Sequence, residues 1–170
     1  TVHLERTVVG AAGGEWSLSW LDRCLIAGRA LWFYIGKLLW PAKLSFIYPR
    51  WDIDPSDMWS YVYPVAAVLA VFQLWLWRDR LGRGPITAVA FFAVSLFPAL
   101  GFVNVYPMRY SFVADHYQYL ASLGIIALVV GGADKLLRNT AARRAEFAAA
   151  VLAVSLLASL TLRQGLMYKD

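Results

Sequence analysis

The chain has 170 residues, of which 60% are hydrophobic and only 16% charged, with a mean hydropathy of +0.54. So small a charged fraction does not cover a soluble domain of this length, so the composition points to an integral membrane protein. The net charge of +5 does not mark a nucleic-acid binder, because the basic residues lie in short loops between apolar segments without interleaved aromatics.

Taken in chain order, residues 1–22 read as an outward loop. His3 and Glu5 carry no usable signal there, and Gly10–Gly14 lacks the strand and GK[ST] of a phosphate loop. There is no basic stretch followed by an apolar core of the kind that marks a secretory signal. Residues 23–49 are apolar but interrupted by Arg29, Lys37, Lys43 and Pro41. The spacing puts Arg29 and Lys37 on one helical face, with Leu, Trp and Phe opposite, which predicts an interfacial or re-entrant helix. A fifth span with snorkelling ends is the competing reading.

Residues 59–77, 85–103, 117–133 and 146–162 read as transmembrane helices, since each is long, apolar and without period-2 alternation. Pro64 falls in opening turns, where proline is tolerated, and Pro98 predicts a kink near the end of the second span. The fold class expected is therefore all-α: a polytopic membrane bundle of four transmembrane helices with an N-terminal interfacial or re-entrant helix. Small-xxx-small spacings at Ala66/Ala70, Ala127/Gly131 and Ala149/Ala153 fit close helix packing.

Loop 78–84 carries Arg78, Arg80 and Arg83, and loop 134–144 carries Lys135, Arg138, Arg143 and Arg144. The positive-inside rule places both in the cytoplasm, and loops 48–58 and 104–116 and the C-terminus outside. For a bacterial inner membrane, outside is the periplasm. The single cysteine, Cys24, excludes an intrachain disulfide and a cysteine-cluster metal site.

Ionisable groups beside hydrocarbon are costly and tend to be functional. Arg109, Asp115 and His116 lie between two uncharged apolar segments. A helix beginning near Phe112 puts Asp115 in its first turn, with Tyr119 four residues on and His116 three residues from Tyr119. Free N–H groups there, with Arg109 and His116, make an anion site at the depth of a lipid-linked phosphate. The plainer reading is a capping Asp115, interface anchors in His116 and Tyr119, and a snorkelling Arg109. Arg29, Lys37 and Arg50 are weaker candidates for lipid phosphate. Asp52, Asp54 and Asp57 match no metal pattern and read better as turn residues around Asp54-Pro55-Ser56-Asp57.

Three strings, Leu25-Ile26-Ala27-Gly28-Arg29-Ala30-Leu31-Trp32-Phe33-Tyr34, Lys37-Leu38-Leu39-Trp40-Pro41 and Phe46-Ile47-Tyr48-Pro49-Arg50-Trp51, resemble the membrane domain of bacterial tetratricopeptide-repeat membrane proteins. Val113–Ser122 is similar to that family's segment and to the A-E-R-x-x-Y-L-P-S type motif of transmembrane and tetratricopeptide repeat O-mannosyltransferases, in the GT-C glycosyltransferase superfamily. The resemblance runs from about Val9 to Asp170. It implies the C-terminal half of a domain that transfers a sugar from a polyprenyl-phosphate carrier to a protein or other acceptor on the non-cytoplasmic face. It implies His116 in the place of the motif's Arg as a phosphate contact, no catalytic residue in this part of the domain, an upstream catalytic acid, and repeats beyond residue 170. Membrane lipid and the lipid-linked sugar are the expected partners, with no metal assigned and no nucleic acid. The alternative is a non-catalytic anchor for an extracytoplasmic repeat domain.

Overall fold

The computed structural model describes residues 18–42, 44–136 and 140–166, with side chains up to residue 135 and from 148 to 163. The expectations for residues 1–17, for Lys43, for the side chains of Arg138, Arg143 and Arg144, and for the C-terminal residues lie outside these. Among the described residues the structure is helical, without strands.

Helix α1, Trp20–Leu39, starts on a capping box in which Ser19 and Asp22 each accept from the other's backbone N–H. It ends before Pro41, so residues 40–42 and 44–51 have no regular structure and the expected helix over 23–49 is shorter than predicted. The reason is local: Pro41 has no N–H to donate, and the Lys37 ammonium instead reaches forward to the Ala42 carbonyl at 2.8 Å. A 3-10 turn, Met58–Tyr61, capped by the Asp57 carboxylate, leads into α2, Val62–Leu76. Then come the short α3, Arg78–Leu81, and α4, Gly84–Leu96.

Pro98 does not kink a longer helix. Helix α4 stops at Leu96, a 3-10 turn spans Phe97–Ala99, and Gly101 at φ 94° turns the chain away. Helix α5, Tyr119–Leu136, and α6, Thr140–Leu166, are the last described elements. Two helical stretches, Met58–Leu76 and Asp115–Lys135, are long and apolar enough to cross a membrane; Gly84–Ala99 and Ala148–Arg163 are shorter apolar helices.

Helices α4 and α5 pack closely side by side, and α1 packs on α2. Two glycines permit the closest approaches. A Cβ on Gly28 would lie 2.5 Å from the Pro64 nitrogen, and one on Gly124 would lie 2.6 Å from the Ala88 carbonyl oxygen. The main core joins Ala27, Ala30 and Tyr34 of α1 to Phe92, Leu96 and Leu100 at the end of α4, and to Val113, Ala121 and Ile125 around the start of α5. A second cluster joins Ile26 to Met108 and Phe112. Helix α1 is thus fixed against the end of α4 and the starts of α2 and α5. Arg23 secures its first turn by donating to the Gly101 carbonyl at 2.6 Å and to Asn104 Oδ1 at 2.7 Å. Elsewhere the helices present apolar side chains outward, among them Val68, Phe72, Leu123, Val130 and Leu152.

Candidate functional site

The segment leading into α5 is not helical from Phe112. The Ser111 hydroxyl closes a tight turn on Val113, donating to its carbonyl at 2.6 Å and accepting from its N–H at 3.3 Å. Ala114 is extended, at φ −150°. The buried Tyr34 hydroxyl accepts from the Ala114 N–H at 3.2 Å and donates to the Ala114 carbonyl at 3.4 Å, a carbonyl that also accepts from the Tyr117 N–H at 3.1 Å. With the Ala114 N–H partnered outside a helix, coiling begins only at the 3-10 turn Asp115–Gln118, and α5 follows from Tyr119. Asp115 therefore opens a 3-10 turn and does not sit in the first turn of an α-helix.

The Asp115 carboxylate faces the 40–51 segment. It accepts from the Ser45 N–H and from the Tyr48 hydroxyl, which lies 2.9 and 3.1 Å from its two oxygens. Ser45 N–H also reaches the Tyr48 oxygen at 3.1 Å. The Lys37 ammonium stands over the Tyr48 ring, 5.0 Å from its centroid, and over Phe33 at 5.5 Å. Lys37, Tyr48 and Asp115 thus form one connected cluster between the end of α1 and the entry to α5. A carboxylate so supplied with donors positions its neighbours and is poorly placed to act as a base.

His116 is held by rings. Phe46 stacks on it, centroids 4.6 Å apart and planes at 18°, and Tyr117 meets it edge-on at 4.4 Å. Its Nδ1 is buried and has no hydrogen-bond partner among the described residues, and the same holds for Gln118 Oε1. Buried polar atoms are nearly always partnered, so these two are the atoms of the cluster with hydrogen-bonding capacity left among the described residues.

The other expected residues are dispersed. Arg109 lies in a separate 3-10 turn, Tyr106–Arg109, and its guanidinium sits 6.0 Å from the Tyr110 ring centroid. Tyr119 is 74% exposed and its hydroxyl makes no hydrogen bond among the described residues. Arg29 and Lys37 do not act as a pair: Arg29 covers Trp51 at 4.5 Å while Lys37 faces Tyr48. Arg50 covers Phe112 at 5.0 Å. Asp54 stabilises its own turn, accepting from the Ser56 N–H at 2.8 Å and hydroxyl at 2.6 Å, which holds its carboxyl below the usual aspartate value. Asp57 caps the Met58–Tyr61 turn. Among the described residues no group of three or more His, Cys, Asp or Glu is placed to hold a metal.

Sequence reasoning missed Tyr34, Ser45, Phe46 and Gln118 as parts of this site. A signal existed for Tyr34, because a hydroxyl in an apolar helix needs a buried partner. For Ser45 and Phe46 there was none, since their roles depend on how the 40–51 segment folds back. Comparison with models of protein families, with curated proteins and with solved structures gives no match. Function is left to the residues and their geometry.

Proposed function

We propose that this chain is part of a membrane-embedded glycosyltransferase of the GT-C type, in which His116 and Arg109 contact the phosphate of a polyprenyl-phosphate-linked sugar while Asp115 positions His116, and the exposed Tyr119 faces outward beside them. The observation that carries the reading is the His116 imidazole. Its Nδ1 is buried without a partner, at the head of the Asp115–Lys135 stretch that is long and apolar enough to cross a bilayer. In this reading α2, α4, α5 and α6 are the four spans, and lipid covers their exposed apolar faces. Helix α1 lies in the outer interface, a placement supported by its contacts with Gly101, Asn104, Tyr63 and Ala114, all at one end of the neighbouring helices. The Arg- and Lys-bearing loops face the cytoplasm.

The chemistry is an inverting transfer. A carboxylate from elsewhere in the active site activates the acceptor hydroxyl, and donors at His116 and Arg109 stabilise the leaving phosphate. The Asp115 cluster fixes where His116 stands, because Ser45 and Tyr48 tie the same short segment whose Phe46 stacks on the imidazole.

A second reading, an anchor for an extracytoplasmic repeat domain, is favoured by the cations. Arg29, Lys37 and Arg50 each lie on an aromatic face of this chain, as structural residues do. The test is transfer from a polyprenyl-phosphate sugar by the intact protein in membranes. His116→Ala and Arg109→Ala should each lower the rate by about a hundredfold at unchanged expression. Normal transfer in both variants rejects the assigned site, and absence of transfer in the parent protein favours the anchor.

A further inference from the structure

Away from this site, α4 and α5 run antiparallel and touch at Gly124, where Ala88 and Phe91 press on the glycine. Toward the other end the two helices part. Gly84, Gly131 and Gly132 have nothing within 4 Å of the place a Cβ would occupy. The opening is an apolar cleft of about 640 Å³, walled by Pro85, Ala88, Ala127 and Leu128 and ending on Leu81 and Lys135. A neighbouring hollow of about 440 Å³ shares Gly84, Ala88 and Ala127 with it and is lined by Arg83.

The end of this cleft is cationic, and among the described residues no carboxylate pairs with Lys135 or Arg83. The Lys135 ammonium donates to the Leu81 carbonyl at 3.3 Å. Among the described residues the one ion pair is Arg78–Asp79, at 3.8 Å. Apolar walls leading to cations that pair with no carboxylate among the described residues match one kind of occupant, an acyl chain with an anionic headgroup. A free phosphate would leave the apolar walls unfilled. A second copy of this chain, inserted with the same orientation, would bring the same basic loop to the same depth and repel Lys135.

We propose that the α4–α5 cleft holds one acyl chain of an anionic phospholipid, with its phosphate on Lys135 and Arg83. The proposal rests on the membrane reading above and is independent of the transfer chemistry, because it uses the opposite end of α5 from His116. Lipid occupancy also accounts for glycines on a surface where helix propensity alone favours alanine.

Native mass spectrometry of the intact protein in detergent, titrated with dioleoylphosphatidylglycerol or dioleoylphosphatidylcholine, tests it. One phosphatidylglycerol should bind about tenfold tighter than phosphatidylcholine. Lys135→Ala should erase that preference. Gly131→Leu, for which the cleft has room, should weaken both lipids, and soluble glycerol phosphate should displace neither. Equal affinity for the two lipids, a preference that survives Lys135→Ala, or displacement by glycerol phosphate would overturn the proposal. A protein that binds phosphatidylglycerol selectively but transfers no sugar rejects the transferase alone, and the converse rejects the lipid site alone.

Discussion

Tyr34→Phe removes a single oxygen from the centre of the molecule. The Tyr34 ring is fully buried, so phenylalanine keeps its apolar packing. Its hydroxyl serves two backbone groups of the extended Ala114, the N–H at 3.2 Å and the carbonyl at 3.4 Å. The longer contact contributes little, whereas the N–H is left buried without an acceptor, at a cost of about 1–3 kcal/mol. An overall loss of about 2 kcal/mol corresponds to a melting temperature lower by roughly 4–8 °C for a chain of this size. The assay is thermal and denaturant unfolding in detergent micelles, with hydrogen exchange read at Ala114 and Asp115. Exchange there should accelerate in the variant, since Tyr34 holds the strand-like segment that delivers Asp115 and His116. A stability within about 0.3 kcal/mol of the parent would refute the assigned role, being well below the cost of an orphaned buried N–H.

Gly28→Ala places a methyl carbon against the Pro64 backbone and must push α1 off α2. The overpacking should cost about 1–3 kcal/mol, and the Trp32 Nε1 hydrogen bond to the Tyr63 carbonyl, 3.0 Å long, should lengthen; indole fluorescence and thermal unfolding read both. For Asp54, Ser56→Ala removes the hydroxyl, the larger cause of the depression, and keeps the Ser56 N–H, so the carboxyl should titrate closer to, but still below, its ordinary range, as followed by carboxyl ¹³C shifts. Because the folded-state value is depressed, the turn's contribution is present above the ordinary aspartate pKa and fades as pH falls through the lower folded value.

How much of this was legible in advance depends on how far each residue's partner lies along the chain. The break at Pro41 and the cap at Asp57 involve near neighbours, and both are readable from residue type and spacing. Asp115 stands out in the sequence as an ionisable group near the start of an apolar helix, but its partners Ser45 and Tyr48 lie some 70 residues away. The expected helix start at Phe112 failed for the same reason. Helical propensity competes there with the Ser111 turn and the Tyr34 hydroxyl, and the second of these comes from a different helix. The rings beside His116 and Arg109 divide the same way: Phe46 comes from 70 residues away, whereas Tyr110 adjoins Arg109 in the chain.

The sequence by itself determined the all-helical class and the apolar helices, because these follow from composition and periodicity over short windows, whereas the expected basic loops 78–84 and 134–144 are largely helical, over Arg78–Leu81, up to Leu136 and from Thr140. Only the tertiary structure decided that Asp115 is a tethered carboxylate, that His116 carries a buried unpartnered nitrogen, and that α4 and α5 part at Gly131. Each of those depends on which distant backbone or ring arrives beside the residue, and hydrophobic packing of whole helices sets that arrival.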